Sequence, residues 1–338
     1  MNFLKRLILP LACLAIVGGC GNKDELQALE HLHTALQDRA YGKLEQALDD
    51  GESQYRKGKL SANSWAQRIT EFATSPGMDN DKLDRWVNAT HSGYAHLVRG
   101  LYLQHDAWRL RGQQAAADTT ELQFAMLRQR SQQARRDLIE AGNKIARCAI
   151  CVGELINNNR ALADQSTDRK LLETALEYDP KMWMPVIAYY QGIPPRWDNY
   201  DDIAKFISEV RERIKDDDLA SLLESQMYRD KARHALLKPG FDSVKNATDY
   251  YEQGVTPKPD SRLMRELATI YSKRGQYSKS VEVLEREITV NGDTNLAKLD
   301  ELSDAYFAAG QSKKSLKIRE RREELVRNYP HVYGAKMS

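Results

Sequence analysis

The stretch ELATIYSKRGQYSKSVEVLER at residues 266–286 returns 35 residues later as ELSDAYFAAGQSKKSLKIRER at 301–321. Nine positions are identical: Glu266, Leu267, Tyr271, Gly275, Gln276, Lys279, Ser280, Glu285 and Arg286 match Glu301, Leu302, Tyr306, Gly310, Gln311, Lys314, Ser315, Glu320 and Arg321. In each copy two segments with apolar residues three and four apart flank a Gly-Gln pair, which is the period of helices joined by a turn. Small residues at Ala268, Gly275 and Ser280 allow the two helices to approach, while Leu267, Tyr271 and Leu284 fill the seam. The second copy carries Ser303 and Arg319 at the corresponding small and apolar positions. Such degeneracy suits a last unit whose outer face meets water.

These residues resemble the tetratricopeptide repeat, a helix-turn-helix unit of about 34 residues. Leu267, Ala268 and Tyr271 take its first-helix positions, Gly275 its turn, and Ser280 with Leu284 its second helix. Two hairpins do not close a solenoid, because about three are needed to bury a continuous core. Support must come from upstream. Ala247, Tyr250, Tyr251 and Gly254, followed by Pro259, read as the second helix of a further repeat, and Ala175 to Pro180 ends as such repeats end. Helical spacing also marks Leu26, Leu29, Leu32 and Leu36, and Leu122, Ala125, Met126 and Gln129. No run of alternating β-branched residues argues for a sheet. The expected fold is all-α, an irregular array of helical hairpins resembling a tetratricopeptide/Sel1-like solenoid.

At the other end, Lys5 and Arg6 precede the apolar run Leu7 to Val17, which closes on Val17-Gly18-Gly19-Cys20. Charged start, short apolar core and small closing residues describe a secretory signal. The run is too short for a bilayer span, which takes about 20 residues. The closing residues resemble the bacterial lipobox, which implies lipidation of Cys20 and removal of the signal. Gly21 after the cysteine implies, by the same resemblance, the periplasmic face of the outer membrane. The expected organisation is a signal at 1–19, an anchor and tether at 20–36, a helical domain at 37–240, repeats at 241–328 and a tail at 329–338.

The chain holds 50 Lys+Arg against 48 Asp+Glu, and loss of Lys5 and Arg6 with the signal leaves 48 of each. A mature net charge of zero lacks the basic footprint of a nucleic-acid binder, so no nucleic-acid partner is expected. With Cys13 removed and Cys20 lipidated, two thiols remain, Cys148 and Cys151. A redox-active pair should open a helix in a strand-helix-strand setting, whereas this pair follows the helical pattern Arg130 to Arg147. A zinc site would need two further ligands, and no second Cys-x-x-Cys occurs. The pair is expected to be a structural disulfide.

Three segments carry a second resemblance: Asp84 to Val87 around Trp86; Tyr94 to Tyr102, ending Arg99-Gly100-Leu101-Tyr102; and Ala107-Trp108-Arg109-Leu110-Arg111-Gly112. Pro195-Arg196-Trp197, Tyr200 and Phe206 follow. Together they are similar to a bacterial domain of unknown function, helical and often carried by secreted or lipid-anchored proteins, here covering about residues 35–240. Family members carry glycines and serine where this chain has Asp198, Asn199 and Tyr200. The resemblance implies a helical domain and supplies no activity.

No Gly-x-Ser-x-Gly elbow, His-Glu-x-x-His or phosphate-cradling glycine loop is present, and neither enzymatic activity nor a cofactor is expected. His91, His96 and His105 lie at offsets that do not stack on one helix face, so no metal site is expected. Aromatic and arginine residues are enriched at interfaces, and Trp108, Arg111, Trp197 and Tyr200 are the partner-binding candidates. The expected function is a membrane-anchored periplasmic scaffold that binds another protein or a peptide in envelope assembly or maintenance. The alternative is an immunity lipoprotein that neutralises a periplasm-delivered toxin, such as a secreted phospholipase.

Overall fold

The computed structural model describes residues 23–112, 118–193, 200–237 and 242–333. Cys20, Pro195, Arg196 and Trp197 lie outside the described residues, as do the signal at 1–19 and residues 334–338 of the tail. Among the described residues all regular structure is helical and no strand occurs. The chain is an all-α array of helical hairpins, divided into two compact units at Gly192–Ile193.

Residues 27–192 with 331–333 form the first unit. Its helices are α1 (Lys23–Gln37, from Gln27 onward), α2 (Tyr41–Arg56), α3 (Ala62–Thr74), α4 (Asn80–Thr90), α5 (Gly93–Arg111), α6 (Glu121–Lys144), α7 (Ala149–Leu162), α8 (Asp168–Tyr178) and α9 (Trp183–Gly192). Their starts are set by polar caps that satisfy otherwise orphaned amides. Ser61 accepts from the Ser64 amide, Asp79 from Lys82 and Ser92 from Ala95, and Thr120 forms a capping box with Gln123. Leu29, Leu32, Leu36, Leu44, Leu48, Phe72, Leu83 and Trp86 share one core. From Lys23 onward, the span expected to be a tether is therefore a core helix, because its leucine stripe has a partner to pack on. The tail is likewise engaged: the backbone amides of His331 and Val332 donate to Glu30, each at 3.0 Å, and Val332 packs on the core.

Helices α5 and α6 form the longest hairpin. The buried stripe of α6 is Leu127, Ser131, Ala134, Leu138 and Ala141, a different face from the one marked by the spacing of Leu122, Ala125, Met126 and Gln129. Leu122 is 69% exposed. Small residues dominate the true stripe because α5 runs close by: a Cβ at Gly100 would sit 3.0 Å from the Leu138 side chain.

The second unit spans 193–330. Helix α10 (Tyr200–Glu209) runs into a π-helical turn at Val210–Ile214. It is followed by α11 (Asp217–Leu237), α12 (Ser243–Gln253), α13 (Ser261–Lys273), α14 (Tyr277–Asn291), α15 (Leu296–Ala308) and α16 (Ser312–Asn328). Three hairpins result, α11–α12, α13–α14 and α15–α16, and the two repeat copies are the last of them. The expected boundary after residue 240 does not coincide with this division. Ala232 of α11 shares a core with Ala247, Tyr251, Leu263 and Leu267, so the helix before residue 240 belongs with the repeats.

Contacts recur with the repeat. Arg229 of α11 donates to Glu266 of α13, and Arg265 of α13 donates to Glu301 of α15, linking the first helices of successive hairpins. Tyr271 and Tyr306 donate to Glu252 and Glu285 on the helix before each. Ser280 donates to the Ala268 carbonyl at 2.9 Å, and Ser303 and Ser315 meet at 2.9 Å where the last two helices cross. The last copy leaves its outer face open. Val281 and Leu284 of α14 pack against Leu302 and Tyr306 of α15, whereas their counterparts in the last copy are Leu316, 58% exposed, and Arg319, which donates to Ser303.

Gly275 and Gly310 occupy the two equivalent turns with φ of +71° and +73°. A Cβ at Gly275 would touch nothing within 4 Å, so alanine there pays only for the left-handed backbone. Gly275→Ala is expected to lower stability by about 1 kcal/mol with helical content unchanged, read as a lower urea midpoint at constant slope.

Candidate functional site

Helix α2 turns Leu44, Leu48 and Gly51 into the core of the first unit. Its other face carries Glu45, Asp49, Glu52, Ser53, Arg56 and Lys57, which recur at helical spacing and line a cleft of about 710 Å³. The opposite wall is the first turn of α5, Ser92 to Tyr94, and the end of α6 with the loop after it, Lys144 to Ala146. Twelve residues of α2 at 1.5 Å each make the cleft about 18 Å long. Glu45 and Asp49 stand towards one end, Arg56 and Lys57 at the other.

The walls are fixed by polar links. Arg56 donates to the Ala146 carbonyl at 2.7 Å, and Lys144 donates to the His91 carbonyl at 2.6 Å, so both cations hold the loops that face α2. The Trp86 indole donates to Glu45 at 3.1 Å. Glu52 accepts from Arg56 and from the Tyr94 hydroxyl. Burial, and then the Glu52 carboxylate, push the Tyr94 phenol well above its usual range, so it stays a donor.

Beneath the cleft lies a second cavity of about 20 Å³, which shares Glu52, Arg56, Tyr94 and Ile145 with it and also touches Tyr55, Arg147 and Cys148. Cys148 and Cys151 form a disulfide. Contrary to expectation, this pair does open a helix. Cys148 is the N-cap of α7, and the Cys151 amide donates to its Sγ at 3.1 Å. The helical pattern through Arg147 breaks first, because α6 ends at Lys144 and Arg147 adopts a left-handed φ of +54°. The sequence signal for that break is weak, since Gly142 and Asn143 fall inside the last turn of α6 and the left-handed residue is Arg147.

The sequence-selected residues lie elsewhere. Trp108 and Arg111 come together at the far end of α5. Trp108 packs against Ala107, Leu127 and Ala161 with the Arg160 guanidinium 5.4 Å from its ring centre, and Arg111 lies 6.0 Å from the Phe124 ring. Burial lowers the Arg111 pKa. Tyr200 opens α10 in the second unit, with the Lys231 ammonium 4.9 Å from its ring centre. Trp197 is outside the described residues. His96 meets Asp137 at 2.8 Å, and His91 is the left-handed C-cap of α4. Among the described residues no group of three or more His, Cys, Asp or Glu is placed to hold a metal ion.

Helix α7 also carries a polar core. Asn158 is fully buried and donates to Gln104 and to the Ser131 carbonyl, each at 2.7 Å, while Asn159 donates to Asp168 at 2.8 Å. Glu154 lies in the same interior, and burial raises its pKa to about 7, opposed by Asn157 and Arg160. The run Asn157-Asn158-Asn159 within a helix was the available sequence signal, since amides are kept in a core only with partners.

No family model matches the chain, and no curated protein matches it. Among solved structures, the human IFIT1 dimer with m7Gppp-AAAA is similar at 10% identity and a TM-score of 0.34, over 84% of this chain and 78% of that one. The human IFIT1 dimer with PPP-AAAA is similar at 14% identity and 0.28, over 83% and 68%. Superpositions this loose carry no argument about ligand or role.

The raised Glu154 pKa makes a pH prediction. The folded state holds this proton more tightly than the unfolded chain, so stability falls as pH rises from the usual carboxylate range to about 7. Glu154→Gln is expected to melt several degrees above the parent at pH 8 and within a degree or two of it at pH 5, in paired thermal melts.

Proposed function

We propose that this helical-repeat protein is a membrane-tethered scaffold that receives an extended segment of another protein in the α2 cleft. The observation that carries the reading is the charge layout of that cleft. Glu45 and Asp49 precede Arg56 and Lys57 along one 18 Å face of about five extended residues' length. A segment with basic residues at one end and acidic residues at the other meets complementary charge only in one direction, which selects partner and register. The Ser92 side chain and the Gly93 backbone line the opposite wall and offer polar groups to such a segment. The Val17-Gly18-Gly19-Cys20 motif supports a lipid tether at the periplasmic face of the outer membrane. A tether raises the effective concentration of the cleft towards other envelope proteins, which fits a role in assembly or maintenance.

A photocrosslinking residue at Ser53 in intact cells tests the binding. The expected result is capture of one envelope protein, falling at least about tenfold when Glu45→Lys and Asp49→Lys are introduced together, because like charges then face the partner's basic end. Equal capture by the charge-reversed protein would overturn the cleft as the binding site. Separately, Cys20→Ser is expected to move the protein from the membrane pellet to the soluble periplasmic fraction; retention in the pellet would remove the tether.

A further inference from the structure

We propose that Cys148 and Cys151 are a thiol–disulfide exchange pair that oxidises a cysteine-pair segment of another protein, with Cys148 as the sulfur that is attacked. This goes beyond the binding reading and rests on it only for the approach through the α2 cleft. Three independent observations meet at this disulfide.

The first is what the bond does not do. It closes a loop of four residues within one helical turn, so it ties no two elements of the fold together. Loop-closure stabilisation is least for the shortest loops. A cross-link placed for stability would instead join α7 to one of the helices packed on it.

The second is what the position does to sulfur. Cys148 caps the fourteen-residue helix α7, and the Cys151 amide points at its Sγ. A thiolate released at Cys148 therefore meets a hydrogen-bond donor and the positive end of a helix, the setting that activates cysteines in Cys-x-x-Cys motifs. Arg147 borders the same small cavity. The one carboxylate on that cavity wall, Glu52, is occupied by Arg56 and by the Tyr94 hydroxyl.

The third is access. The two sulfurs are not equivalent: Cys148 keeps 6% of its surface and Cys151 only 1%. Of the two cysteines only Cys148 lines the small cavity that shares four residues with the α2 cleft, so the approach to the disulfide from the cleft leads to Cys148.

The chemistry balances with the partner dithiol as reductant. A partner thiolate attacks Cys148 Sγ, the Cys148–Cys151 bond breaks, and Cys151 leaves as a thiolate that takes a proton. The partner's second thiolate then attacks the partner sulfur of the mixed disulfide and releases Cys148 as a thiolate. Two electrons pass from the partner's sulfurs to Cys148 and Cys151, and the partner gains a disulfide.

The test uses the full native chain and reduced glutathione as the probe, without denaturant. After acid quenching and alkylation, mass measurement is expected to show both thiols appearing together, and the fully reduced protein is expected to regain the disulfide when oxidised glutathione is supplied. A disulfide that persists in reduced glutathione until denaturant is added would overturn the proposal. The two single variants assign the roles. With oxidised glutathione, Cys151→Ser is expected to form the mixed disulfide at Cys148 at least about tenfold faster than Cys148→Ser forms it at Cys151. Equal rates would overturn the assignment of Cys148. If either variant loses its helical signal, the wild-type titration still decides whether exchange occurs.

Discussion

Leu138 of α6 rests in the space that Gly100 leaves on α5, and the first unit is arranged around that close approach. The seam brings Asp137 into the interior, where an unpaired carboxylate would be very costly. Arg99 meets it in a two-pronged contact at 2.7 and 2.8 Å, His96 adds a third, and Arg99 reaches on to Asp84 of α4 at 2.9 Å. Removing one member would strand the others, so the network fixes the angle and register of the hairpin more than it adds net stability. Because α5 begins and α6 ends at the same place, that register also sets the far wall of the α2 cleft. Ser92 to Tyr94 and Lys144 to Ala146 stand opposite α2 for this reason.

The second unit solves the same problem by repetition. Successive first helices are joined by an arginine of one and a glutamate of the next, Arg229–Glu266 and then Arg265–Glu301. Each tyrosine at the end of a first helix reaches back to a glutamate of the preceding helix. The array ends when Arg319 replaces Leu284, which gives the last face to water. Lys298 and Glu287 form a buried pair at 2.6 Å between α14 and α15, joined by Ser261. A buried pair of this kind specifies one docking of the hairpins and is a weak source of stability.

The fold class and the repeats were legible because they rest on local period. Leucine at three and four in α1, Gly275 with Gly310, and the alternation of small and bulky residues all act within one hairpin. The candidate site was less legible. Glu45, Asp49, Arg56 and Lys57 read as an ordinary solvated stripe until another element stands opposite them. Trp108 and Arg111, chosen because aromatics and arginines favour interfaces, pack against α6 and α7. The Asn157 to Asn159 run shows the converse: polar residues in sequence that are interior in space, held by Gln104, Ser131 and Asp168.

By itself, then, the sequence determined that the chain is helical, that its last third repeats, and that two cysteines remain close together once the amino-terminal pair is set aside. Those are consequences of spacing along one chain, which needs no knowledge of neighbours. Only the tertiary structure decided which helix faces meet, because a face of small residues and a face of large ones are equally periodic. It also decided what the cysteine pair is. The spacing of Cys148 and Cys151 is the same at the end of a helix or at its start, but the electrostatics are opposite. A left-handed turn at Arg147 put the pair at the positive end of α7, next to the cleft.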